Sequence, residues 1–521
     1  MSNSTLLHSP DDALSHSLDD AVPTKALITV ILIALSVSWF TNTFFRKASA
    51  FSLLFSRVIE ADTSVELPLP PGPRSKFLFG NAFDLPLTDQ SEVFTRWAKE
   101  FGDLTYLNVL GTPMVVTSSM DVARDLLEKR SAIYSSRPIF RMLNELVQMS
   151  WNFVFMEYGK KWRAHRRVFH EVFHSERVAT FGEIQVKHIK AMLKIFPTSN
   201  EQIGVHIKRY TSALLLESVY GIEVLSSHEK DPFIFLTTNG MKAVDAAITP
   251  GAFYVEPFPM LRYVPGWVPG ANFQHIALRW KKITTDLLFK PFIRAKETTE
   301  EYNSDSFMAA WLDRLKANGN KETEHSEEVV RNVAAAALLA GTETTADTLH
   351  KFVLAMILFP RVQRKAQEEL DRVLGRGRLP TLDDEQDLPY IAAVIKEVLR
   401  WNVISPIGFA HRAIKEDIYR GYQIPKDTLV IVNVRNIMYN EELFGPNCDE
   451  FRPERFIDYK CADTKIAFGF GRRVCPGRHL AYQSLFLLAS HMLHVYDIGK
   501  RLDTDGKEIP VLEEFTTTME W

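Results

Sequence analysis

The chain has three cysteines, and one of them stands where a sulfur can do chemistry. Cys475 lies within Phe468-Gly-Phe-Gly-Arg-Arg-Val-Cys-Pro-Gly, just before an apolar run. Glycines 469, 471 and 477 allow the backbone to turn tightly and approach a flat ligand. Nearby amides and the positive end of a following helix favour a thiolate, which can ligate iron and donate electron density to it. On spacing alone, a buried structural cysteine fits equally well. A second group is Ala340-Gly341-Thr342-Glu343-Thr344-Thr345. Its hydroxyls and carboxylate are suitable proton-relay groups. Gly341 beside β-branched hydroxyl residues predicts a local groove or kink, although a helix with a tolerated glycine also satisfies the pattern. Trp162 and Arg166 are spaced to share a helical face, as are Glu397 and Arg400.

These groups require long helices to hold them. An Ala-rich apolar pattern without proline runs over 326–359, enough for a continuous helix of about 50 Å. Pro360 suits the first turn of a helix closing at Gly375, and Pro389 the start of another ending near Trp401. Residues 104–109 and 114–117 flank Gly111-Thr112-Pro113 and read as a hairpin. The fold class is therefore mainly α with small β-sheets.

The N-terminal part has a different character. Residues 26–45 read ALITVILIALSVSWFTNTFF, uncharged and long enough to cross a bilayer core of roughly 30 Å as a single transmembrane helix. Asp11, Asp12, Asp19 and Asp20 precede the run, whereas Arg46, Lys47 and Arg57 follow it. The positive-inside rule leaves the large C-terminal part in the cytosol and residues 1–25 as a lumenal tail, where the sequon at Asn3 would be accessible. Residues 46–74 form a linker ending in Leu-Pro-Leu-Pro-Pro-Gly-Pro-Arg, a stiff extended hinge. Residues 75–521 are the expected catalytic domain.

Composition removes several function classes. A formal net charge of −3 gives no reason to expect a nucleic-acid partner. Three clustered cysteines are too few for a secreted disulfide scaffold, and a reducing compartment fits better. No zinc spacing occurs, and no strand leads into a dinucleotide or Walker loop, so reducing equivalents must come from a partner. Lys160, Lys161, Arg163, Arg166 and Arg167, with Arg472 and Arg478, would form a basic face for an acidic electron donor.

The ten residues beginning at Phe468 resemble, position by position, the haem-binding signature of the cytochrome P450 family. The resemblance implies a P450 fold behind a membrane anchor, with haem b as cofactor and Cys475 as proximal iron ligand. It implies that Gly341 opens a groove for dioxygen, and that Thr344, assisted by Glu343, supplies protons for O–O cleavage. Trp162, Arg166, Arg473, His411 and, more loosely, Arg137 match positions that contact the haem propionates. Phe451-Arg452-Pro453-Glu454-Arg455-Phe456 is similar to a family segment that closes a buried Glu397–Arg400–Arg455 cluster.

Wording such as Ala366-Gln367-Glu368-Glu369-Leu370-Asp371 resembles fungal microsomal members. They imply electrons from NADPH through cytochrome P450 reductase, sometimes with cytochrome b5, at the endoplasmic reticulum membrane. The implied chemistry is secondary metabolism or xenobiotic oxidation. The apolar and aromatic loops 139–155, 403–409 and the region of Phe515 imply a hydrophobic substrate that is polycyclic, aromatic or terpenoid-like. Relatives continue beyond the region of Phe515 into a final strand, whereas this sequence stops at Trp521. Two other readings fit the same motifs: a haem–thiolate isomerase or dehydratase that needs no external electrons, and a truncated haem protein without turnover.

Overall fold

The computed structural model describes residues 67–511, apart from 78, 87, 200, 225–230, 302–305 and 318–325. The expected span at 26–45, Asn3 and the region of Phe515 lie outside the described residues. Among the described residues, no helix is long and apolar enough to cross a membrane.

The principal helices are α1 Gln90–Phe101, α2 Lys160–Phe173, α3 Gly182–Ile195, α4 Ile203–Tyr220, α5 Pro232–Ile248 and α6 Asn272–Glu301. They continue with α7 Phe307–Ala317, α8 Glu327–Leu358, α9 Pro360–Leu374, α10 Pro389–Trp401 and α11 Arg478–Val495. The strands are β1 Leu104–Val109, β2 Thr112–Thr117, β3 His411–Arg412, β4 Asp417–Tyr419, β5 Tyr422–Ile424 and β6 Leu429–Val432. The mainly helical expectation with small sheets holds. Among the described residues, Met260–Ile276 fall in one unit, and Pro68–Pro259 with the residues from Ala277 onward in another. Within 260–276, the Gln274 amide donates to the Arg262 and Val264 carbonyls.

The boundaries of α8 to α10 follow from local chemistry. The Ser326 hydroxyl accepts the Val329 amide and caps α8. Every residue from Val333 to Leu339 is buried. A helix that is apolar on all sides belongs in the centre of a domain, and α2, α4, α5, α7, α10 and α11 all pack on it. α9 is amphipathic by contrast: Val362, Ala366, Leu370 and Leu374, spaced four apart, are its buried stripe. Pro360 and Pro389 occupy the first turns of α9 and α10. The main core joins Ile207, Leu349, Phe352, Leu370, Ile391 and Phe486.

The larger sheet has the order β1-β2-β6-β3. β1 and β2 form the anticipated hairpin, with Leu104 opposite Thr117, but Thr112 and Pro113, expected in the connection, already pair with Val109 and Asn108. β2 then pairs in parallel with β6, Val115 beside Val430. A parallel pair needs a long crossover, and here most of the helical domain lies between the two strands. β3 adds antiparallel to β6, which fixes His411 opposite Val430. β4 and β5 make a separate two-stranded sheet. The proline hinge is not a free spacer: the Pro68 and Pro71 carbonyls accept the amides of Gln423 and Tyr106.

Candidate active site

The cysteine loop is closed by its own backbone. The Cys475 amide donates to the Phe468 carbonyl at 2.7 Å, so Phe468 acts through its main chain. Gly471, with φ of 56°, lies so close to the Asp125–Lys129 turn that a Cβ would stand 2.0 Å from the Leu127 carbonyl oxygen. Only glycine satisfies both the left-handed backbone and that approach. α11 begins three residues after the cysteine. Burial pushes the Cys475 thiol above its usual range, while the Gly477 and Arg478 amides and the Arg166 and Arg478 charges act in the opposite direction. The helix end and nearby cations therefore favour the thiolate, as expected, but do not outweigh desolvation by themselves.

Beside this loop lie three guanidiniums that have no carboxylate partner among the described residues. Arg137, 5% exposed, donates to the Phe409 and Ala410 carbonyls at 2.7 and 2.8 Å. Arg473, 9% exposed, donates to the Ser135 and Met156 carbonyls at 2.7 and 2.6 Å. Arg166 donates to the Val474 carbonyl at 2.7 Å. Trp162 is buried beneath Arg473, whose guanidinium stands 4.4 Å from the indole ring. Burial pushes Arg137 down to about 9 and Arg166 down to about 10; burial with repulsion from Arg137 and Arg166 pushes Arg473 down to about 8. His411 shares a 2.7 Å hydrogen bond between Nδ1 and the Tyr134 carbonyl. Burial and the neighbouring Arg137 and Arg473 depress it well below the usual histidine range. Buried cations are normally paired with an anion; among the described residues Arg137 and Arg473 donate only to main-chain carbonyls, which leaves their charge uncompensated.

The Glu397–Arg400–Arg455 cluster contains its own anion. All three are at most 1% exposed. The Glu397 carboxylate accepts Arg400 Nε at 2.7 Å, Arg400 Nη2 at 2.8 Å and Arg455 Nε at 3.1 Å. The remaining guanidinium donors reach main-chain carbonyls, including those of Met438, Cys448, Phe444 and Asn447. The cluster thus anchors the irregular chain from Met438 to Glu450 against α10. Thr464–Phe468, which leads into the cysteine loop, packs on the same helix.

On α8, the Thr344 hydroxyl donates to the Ala340 carbonyl at 2.7 Å, one turn back. The α-helix is uninterrupted from Glu327 to Leu358. Gly341 faces α4. A Cβ there would meet Leu215 of α4 at 2.9 Å, so the missing side chain admits the neighbouring helix. Glu343 also turns towards α4, where it pairs with Lys208 at 2.8 Å. Its Oε1 is buried and lacks a hydrogen-bond partner. Glu343 and Thr344, adjacent in sequence, therefore point in different directions, as residues about 100° apart on a helix must.

A family model described as Cytochrome P450 matches residues 70–518. The chain belongs to the cytochrome P450 family. It is 37% identical over 461 residues to tryptamine 4-monooxygenase of Psilocybe cyanescens, covering 86% of this chain and 90% of that protein. It is 38% identical over 462 residues to cytochrome P450 monooxygenase ple1 of Rhodocybe pseudopiperita, with 87% of each covered. Cytochrome P450 monooxygenase 208 of Postia placenta is 36% identical over 476 residues, with 89% and 90% covered. The chain is accordingly an oxidoreductase of the P450 monooxygenase kind, a family that uses haem iron, dioxygen, redox partners and hydrophobic substrates.

The residues of this P450 fit the family's prosthetic group. Cys475 offers one soft sulfur, and among the described residues no group of three His, Cys, Asp or Glu competes as a metal site. The unpaired Arg137, Arg166 and Arg473 match the two carboxylates of an iron protoporphyrin. Sequence reasoning located these residues but missed Lys208 and the Leu127 carbonyl. Neither carries a local signal: Lys208 lies in an ordinary helical stretch, and the Leu127 contact exists only after folding.

Proposed function

We propose that this P450 binds haem b through Cys475 and oxidises hydrophobic small molecules with dioxygen and electrons from NADPH delivered by cytochrome P450 reductase, with cytochrome b5 as an occasional second donor. The observation that carries the reading is the group of two buried guanidiniums, Arg137 and Arg473, and the half-buried Arg166, which meet no carboxylate among the described residues beside the cysteine loop. Arg137, Arg166 and Arg473, with Trp162 and His411, would hold the propionates, and Cys475 the iron. The bound group supplies the one-electron and dioxygen chemistry.

The protein's own residues would manage protons and access. Thr344 presents a hydroxyl whose proton rests on Ala340, and Glu343 holds a carboxylate on the adjoining face under the control of Lys208. Both can move a proton once their present partners are exchanged. The Glu397–Arg400–Arg455 cluster has a structural role. Lys160, Lys161, Arg163, Arg167 and Arg472 are exposed, which supports docking of an acidic electron donor beside the cysteine loop.

The substrate would be aromatic, polycyclic or terpenoid-like, in secondary metabolism or xenobiotic oxidation. A relative named for tryptamine oxidation supports the aromatic class. The single span at 26–45 would place the domain on the cytosolic side of the endoplasmic reticulum membrane, with Asn3 in the lumen. Turnover with reductase tests this reading: product should depend on NADPH, and Thr344→Ala should keep haem while diverting NADPH to hydrogen peroxide. Product formation without NADPH would favour an isomerase or dehydratase instead. Undiminished product per NADPH in the variant would remove Thr344 from the mechanism.

A further inference from the structure

Glu256 makes a contact that no motif announces. It lies in the chain leaving α5, and its carboxylate accepts two consecutive main-chain amides, Arg141 N at 2.9 Å and Met142 N at 2.8 Å. Each oxygen takes one donor. The segment so held is irregular: the Val147 amide reaches back to the Met142 carbonyl, closing a wide π-type turn over Met142–Leu146. Such turns are costly in isolation and are commonly kept at functional sites. Met142 and Leu143 are fully buried.

The surroundings give the contact a direction. α5 packs both on this turn and on α8, the helix that carries Thr344. From the tether, an aromatic chain runs towards the buried guanidiniums. Phe140 meets Phe155 edge-on at 5.8 Å, Phe155 meets Phe409 at 6.2 Å, and Arg137 stands 5.7 Å from the Phe409 ring. A single surface carboxylate would contribute little at such a place. A part-buried carboxylate on two adjacent amides instead fixes the register of one segment against the other.

We propose that Glu256 is a positioning residue for substrate selection: by tying the chain after α5 to the Met142–Leu146 turn, it holds that turn, and through Phe140, Phe155 and Phe409 the wall beside the Arg137 guanidinium, in one register. This rests on the haem monooxygenase reading and deepens it. Glu145, the carboxylate within the turn, is engaged by Arg141 at 3.1 Å instead.

The test uses the full chain and two readouts. In Glu256→Ala, amide hydrogen exchange over 140–147 should quicken by about tenfold or more, the scale of losing hydrogen bonds to a charged acceptor. Glu256→Gln keeps the length and one acceptor oxygen and should fall between; it carries the test if the alanine variant does not fold. The second readout is spectral binding of imidazole and 4-phenylimidazole, which ligate haem iron alike but differ by an aryl group. Their affinity ratio should shift by about fivefold or more, the size of a 1 kcal/mol change, with the carbon monoxide spectrum unchanged. Unaltered exchange, or faster exchange with an unaltered ratio, would overturn the proposal. A wild-type protein without a thiolate-type spectrum would instead overturn the haem reading, and the exchange result would still decide the tether.

Discussion

Replacing Glu397 with alanine should destabilise the protein more than any surface charge change. Glu397 is fully buried and accepts three guanidinium bonds, together with the Arg452 amide at 2.8 Å. With the carboxylate present, the cluster carries one net positive charge; without it, two guanidiniums share the same buried volume. Removing one partner of a buried ion pair costs about 3–5 kcal/mol. That is a large part of a typical stability of about 5–15 kcal/mol. The main-chain carbonyls that Arg400 and Arg455 hold would lose their fixed donors, and the disturbance should reach Thr464–Phe468 through α10. Urea unfolding followed by tryptophan fluorescence measures the loss, and haem content measures its spread to the cysteine loop. Glu397→Gln, which keeps volume and one acceptor oxygen, should lie between wild type and alanine. A loss below about 1 kcal/mol, the value of an exposed pair, with normal haem content would refute the reasoning.

Gly471→Ala should abolish haem incorporation, because the new Cβ would overlap the Leu127 carbonyl oxygen at 2.0 Å; a haem-replete variant with a normal spectrum would contradict this. Asp245 offers a pH test. Burial, with Asp347 and Glu343 nearby, pushes its carboxyl up to about 7, whereas an unfolded aspartate titrates near 3.9. The folded state therefore binds the extra proton between these values, and stability present below about pH 4 is lost as pH rises towards 7, by about 4 kcal/mol at most. Asp245→Asn should flatten the urea midpoint between pH 4.5 and 7.5 (roughly this window), and an unchanged slope would dismiss the assignment. Lys208→Met and Glu343→Gln should each raise peroxide per NADPH, and the double variant should be no worse than the worse single one if the two act as a pair. Additive effects would separate them.

Much of the architecture was legible because it is encoded locally. Ser326, Pro360, Gly375 and Pro389 mark helix ends by capping and fixed φ, and the observed ends of α8, α9 and α10 fall where those residues stand. The hairpin followed from alternation around Gly111. What stayed hidden depends on contacts between distant parts of the chain. The parallel pairing of β2 with β6 has no local pattern, and neither does the docking of Pro68 and Pro71 onto strands. Gly341 shows the limit most clearly: its type suggested a kink or groove, but only the position of Leu215 reveals that the space belongs to α4. Around the cysteine, residue types identified the guanidiniums, while their lack of a carboxylate required the folded geometry.

In the proposed function, Cys475 is the thiolate ligand of a haem held by Arg137, Arg166 and Arg473. The most direct test is a carbon monoxide difference spectrum of the reduced full-length protein beside Cys475→Ser. A red-shifted thiolate-type band in the wild type that disappears in the variant is the predicted result. A haem-loaded wild type without that band, or a serine variant that keeps it, would contradict the account.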